Sequence, residues 1–154
     1  MNGGSGRPTI YGLNDKEEFS MELSKTDLSA FLDLLNHLET TNPPTAQEIA
    51  SACGARKVDF LTMSEAEIQR RVHGPIPQAL SFLQRPDAKE YIKSIQNDLD
   101  AQVQIVSDLL TEQRQFGEFP APHYSRRIGV ILRKAKRKDL SDRFQAAYNR
   151  HTAR

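Results

Sequence analysis

From Leu28 onward the apolar residues recur at spacings of three and four: Leu28, Phe31, Leu32, Leu35 and Leu38 form one stripe, the period of an amphipathic helix. Ser24 is placed to cap this helix, and Thr40-Thr41-Asn42-Pro43-Pro44 ends it. Two short helices follow. Each is announced by a capping box, in which a hydroxyl and a carboxylate three residues apart serve each other's backbone amides: Thr45 with Glu48, and Ser64 with Glu67. The first leads into Ile49, Ala50 and Cys53 and stops at Gly54; the second runs to Val72 and stops at His73-Gly74-Pro75. Ile76, Ala79, Leu80 and Leu83 predict a further short helix.

Pro86 suits a first helical turn, and nothing between Asp87 and Phe116 breaks a helix, so a single element about 45 Å long is expected. Ile92, Ile95, Leu99, Val106, Leu109 and Phe116 take its a and d heptad positions, with Gln102 and Gln113 as polar interruptions. Such a seam wants a long helical neighbour, either within the chain or on another subunit. After Gly117 and Phe119-Pro120-Ala121-Pro122, the residues Tyr124, Ile128, Ile131, Leu132 and Ala135 make one apolar stripe. Asp139 caps a last helix with Leu140, Phe144, Ala147 and Tyr148 inside.

The expected fold is therefore all-α. A tail over residues 1–23 precedes a bundle of short helices over 24–84, and 85–154 supply one long helix and a C-terminal basic helical hairpin. The last two stretches should fold as one cooperative unit. Segments with strand character are confined to the tail: Thr9-Ile10-Tyr11 and the alternating Phe19, Met21 and Leu23, joined in a short hairpin.

Charge changes this picture more than composition does. Residues 119–154 carry ten Lys or Arg against two acidic residues, a net +8, whereas residues 1–118 carry eleven against eighteen, a net −7. The two ends should prefer unlike partners. Arg126, Arg127, Arg133, Lys134, Arg137 and Lys138 gather on the basic helix, away from its apolar stripe, and Lys136 joins them in the basic run. They suit an acidic protein face, or the phosphates of DNA or RNA.

Candidate chemistry is thin. His37, His73, His123 and His151 share no metal-ligand spacing, so neither a metal site nor a cofactor is expected. Cys53, the single cysteine, ends an apolar helix and reads as a core residue. No nucleophile is paired with a base, so catalysis is not expected. The longest apolar run, Ile128 to Leu132, is too short to span a bilayer, and a reducing compartment, cytoplasm or nucleus, is the default.

Three local likenesses bear on function. Thr45 to Gly54 resembles the first half of a helix-turn-helix, a Glu-Ile-Ala helix ending in a glycine turn, although Ala55 to Met63 intervene where its recognition helix should begin. A strand over Phe19 to Leu23 followed by two helices is similar to ribbon-helix-helix repressors, but Glu22 stands where such a strand meets DNA. Tyr124 to His151 is similar in spacing to one unit of a tetratricopeptide array, without a second copy. The expectation is a non-catalytic interaction protein, an adaptor or accessory subunit, with a basic C-terminal docking surface. Self-association through the long helix is possible on this sequence. The competing expectation is a nucleic-acid-binding regulator.

Overall fold

A stripe of leucines and one phenylalanine organises the first helix, α1 (Lys25–Thr40): Leu28, Phe31, Leu34, Leu35 and Leu38 are buried, while Leu32 turns outward. The computed structural model describes residue 23 and residues 25–153 of the chain. The expected hairpin over 9–23 and the cap at Ser24 lie outside that range. Among the described residues every regular element is helical: α1, α2 (Ala46–Gly54), α3 (Glu65–Val72), a 3-10 turn (Ser81–Gln84), α4 (Ala88–Ser94), α5 (Leu99–Phe116), α6 (Pro122–Lys134) and α7 (Lys138–Thr152). The chain is all-α, as its periodicity predicts. No described helix is long and apolar enough to cross a membrane.

Thr45 forms its capping box, accepting from the Glu48 amide at 3.0 Å while Glu48 Oε1 accepts from the Thr45 amide at 2.8 Å. Only half of the second box forms. Ser64 accepts from the Glu67 amide, but the Glu67 carboxylate swings to Arg70 and Arg71. Two guanidiniums one turn away outcompete one neutral amide. Arg71 also donates to Gly54 O at 3.0 Å and Lys57 O at 2.8 Å, tying α3 to the end of α2.

The single helix expected over 87–116 is broken at residues 95–98. Gln96-Asn97-Asp98 are three residues whose side chains compete with a helical backbone for hydrogen bonds. Asp98 starts α5 as its cap, accepting from the Ala101 amide at 3.1 Å, while Gln102 Nε2 donates back to Ile95 O at 2.9 Å. The heptad seam survives the break but is used within the chain. Ile95, Leu99, Val106, Leu109 and Phe116 are buried, with Ile92 half-buried on α4.

Ile95, Leu99, Val106 and Leu109 belong to one core built from α1, α5, α6 and α7, in which α5 packs on α1 and α6, and α7 on α6 and α1. Phe31 meets Phe144 with ring centroids 5.7 Å apart, and Phe144 stacks on Tyr148 at the same distance. Residues 24–84 and 85–154 thus share a core through α1. The segment between α1 and α5 is different in kind, because α2, α3, α4 and the 3-10 turn contain no buried residue.

Gly117 explains how α2 is held. It closes α5 with φ +75°, and a Cβ there would lie 2.6 Å from Ile49 O and 2.7 Å from Cys53 N. Backbone presses on backbone at this point. Cys53 corrects the sequence expectation: it is exposed, because α2 buries no residue and leaves an open cleft against α5 that Cys53 lines.

Candidate docking surface at the α6–α7 corner

Pro122 opens α6 at its first turn, and Tyr124, Ile128, Ile131 and Leu132 bury the inner face. Gly129 lets α7 approach closely: a Cβ there would stand 3.3 Å from Ser141 Oγ. With Leu140, Phe144, Ala147 and Tyr148 buried on α7, the charged positions of both helices are left to the surface.

The basic run does not lie on one helix as its length suggests. Lys136 has φ +61° and turns the chain, with the Lys136 amide donating to Arg133 O at 3.0 Å and the Arg137 amide to Leu132 O at 2.8 Å. This is a helix-ending turn of the kind glycine usually serves. Nothing in Arg133 to Lys138 signals it. Arg133 and Lys134 therefore close α6, while Arg137 and Lys138 open α7 around an exposed corner.

The seven candidate cations separate by what they already hold. Arg127 is structural: its guanidinium donates to Gln96 O at 3.1 and 2.8 Å and to Asn97 Oδ1 at 2.8 Å. Arg133 donates to Ser141 Oγ at 3.1 Å. Arg137 forks onto Asp139 at 3.1 Å, and Lys138 meets Asp142 at 2.7 Å. The first pair shifts both partners: the hydrogen bond from Arg137 lowers the Asp139 carboxyl below its ordinary range, and the Arg137 pKa is raised in turn. Both pairs are open to solvent, so a partner can exchange with them. Arg126, Lys134 and Lys136 are exposed, and their side chains make no hydrogen bond or ion pair within the described residues. They are the corner's free cations.

A second surface escaped the sequence reading. Phe60 and Leu61, 77% and 95% exposed, stand on the turn between α2 and α3. That turn is ordered: the Asp59 carboxylate accepts from the Leu61 amide at 2.9 Å and from Thr62 Oγ1 at 2.8 Å, and Asp59 O accepts from the Met63 amide at 3.0 Å. The same bonds, that from Thr62 first, hold the Asp59 carboxyl below its ordinary range. Val72, Ile76, Leu83 and Phe119 are also largely outside. The available signal was an apolar pair just after a turn-forming Asp, belonging to no stripe.

Elsewhere the charged groups have structural work. Arg114 donates to Asn42 O at 2.6 Å, Arg150 to Leu38 O and Thr41 O, and His151 Nε2 lies 2.9 Å from Leu38 O, so α5 and α7 together cap the end of α1. Cys53 lines an open cleft of about 470 Å³ with Ile49, Gly117 and Phe119, whose carboxylate, Glu118, is paired to Arg56 at 3.1 Å. Among the described residues no three of His, Cys, Asp and Glu converge as a metal site. The helix-turn-helix likeness stops at α2: residues 55–64 separate it from α3, which opens on Glu65 and Glu67. No family model, curated protein or solved structure matches the chain.

Proposed function

We propose that the chain is a non-catalytic interaction protein, an adaptor or accessory subunit, that docks an acidic protein face at the α6–α7 corner. A second contact is made by the apolar turn between α2 and α3. The exposure of Phe60 and Leu61 on an ordered turn is the observation that carries this reading. Single exposed apolar residues are common, but a Phe-Leu pair held out on a turn fixed by its own hydrogen bonds is suited to burial by a partner, at about 25 cal/mol per Å² covered. Phosphate binding has no use for it. The free cations at the corner favour an acidic partner and add a salt-sensitive term to its association rate.

The test compares the wild-type chain with Phe60→Ser/Leu61→Ser and with Lys134→Glu/Lys136→Glu, each checked by circular dichroism. A protein that co-purifies with wild type and is lost from both folded variants supports the reading. A low-salt gel shift supplies the opposing result. Affinity for DNA or RNA that Lys134→Glu/Lys136→Glu abolishes and Phe60→Ser/Leu61→Ser leaves intact replaces the adaptor reading with nucleic-acid binding. The heptad seam offers no such test, since Ile95→Asp and Leu99→Asp now strike the core.

A further inference from the structure

We propose that His151 makes the docking of α1 onto α7 an acid-sensitive clasp, which opens when its imidazole takes up a proton. His151 sits in the last turn of α7, 4% exposed, with Nε2 2.9 Å from Leu38 O. A carbonyl oxygen only accepts, so Nε2 carries the hydrogen of the neutral ring and Nδ1 is the site left to protonate. The His151 main-chain oxygen is also engaged, accepting from Gln113 Nε2 at 3.3 Å.

The Leu38 oxygen favours a charged ring, and against it stand two guanidiniums and a second imidazole. Arg150 approaches from α7, Arg114 from α5 and His37 from α1, and all three disfavour a charged imidazole. Glu39, next to Leu38 in the chain, is paired with Arg143 at 2.7 Å, and Glu48, which feels Arg114, serves its capping box. The carbonyls at the end of α1 do attract positive charge. They are already served by Arg150 and Arg114. The adjoining crevice, of about 80 Å³, is lined by His37, Arg114, Gln113 and His151 among others. Burial, the largest influence, and these neighbours together hold the His151 pKa below its ordinary value.

The sign follows from linkage. A released α1 leaves His151 in water, where it binds a proton near its ordinary pKa of about 6.5; the docked form binds it only at lower pH. The clasp is therefore at full strength above that value and weakens as pH falls below it. Opening would bare Phe31, Leu35 and Leu38 on α1 and Phe144 on α7, all fully or almost fully buried when docked. Mild acid thus presents a large apolar face that neutral pH conceals.

The experiment is amide hydrogen exchange on the full chain at about pH 7.5 and about pH 5.5, corrected for intrinsic rates, with α1 compared against α5. Wild type should lose protection in α1 relative to α5 on acidification, by up to about tenfold, the limit that one proton site with a released-state pKa of about 6.5 sets over this range. His151→Gln, which keeps a donor for Leu38 O and does not titrate, should lose the response, while His37→Gln keeps most of it. Equal α1 protection at both pH values, or an undiminished response in His151→Gln, overturns the proposal. Should His151→Gln fail to fold, NMR titration of the wild-type imidazole decides. A His151 transition below the ordinary imidazole value of about 6.5, moving with the Leu38 amide, supports the clasp; a transition with no change at Leu38 refutes it.

Discussion

Arg127 donates from two of its guanidinium nitrogens to the main-chain oxygen of Gln96, at 3.1 and 2.8 Å, and so binds α6 to the break between α4 and α5. A residue with the composition of an anion site is a structural clamp. Arg127→Ala should lower stability by about 0.5–1.5 kcal/mol, the net worth of the exposed hydrogen bonds it removes. Chemical denaturation measures this. Partner binding corrected for the folded fraction should be unaffected.

Gly117 predicts a local effect. In Gly117→Ala the new methyl has no room against Ile49 O and Cys53 N, and the φ of +75° is strained for alanine. The cost of the backbone alone is about 1–2 kcal/mol. It should fall on α2 rather than on the four-helix core. Limited proteolysis should show faster cleavage within residues 46–54, with cleavage in α5 and α6 little changed.

Lys136 separates stability from binding. Its φ of +61° suits glycine better than lysine, so Lys136→Gly should stabilise the fold by about 0.5–1 kcal/mol while removing one of the free cations of the corner. A higher melting temperature together with weaker, less salt-dependent partner binding is the expected pair of results.

Glu67 marks the acid limit of the α2–α3 region. Hydrogen bonds from Arg70 and then Arg71 lower its pKa to about 2. A depressed folded pKa means that the clasp through Arg71 is complete above the ordinary carboxylate value and is lost as pH falls through that range toward about 2. Chemical-shift titration should show α3 unchanged over the range near pH 6 in which α1 loosens. Glu67→Gln should weaken the Arg71 link to Gly54 at neutral pH as well.

Much of the core was legible in the chain. The stripes of α1, α6 and α7 and the cap at Thr45 are local signals, and packing agreed with them. Three features were not legible, each for a physical reason. Gln96-Asn97-Asp98 tolerates a helix until Asp98 finds the Ala101 amide and Arg127 arrives from thirty residues away in sequence. The turn at Lys136 carries no glycine, so Arg133 to Lys138 reads as one helix when it is two ends and a corner. Phe60 and Leu61 belong to no period, and only the fold shows that nothing among the described residues covers most of their surface. Cys53 misled for a related reason, since a helix rich in alanine need not bury its apolar side.

The central claim is that the exposed turn and the basic corner bind protein. Its most direct test places a photo-crosslinking residue at Leu61, and separately at Lys134, and irradiates the chain in its native cell. Discrete protein adducts are expected at both positions, suppressed by Phe60→Ser and by Lys136→Glu respectively. Crosslinks from Lys134 to nucleic acid, with none to protein from Leu61, would contradict it.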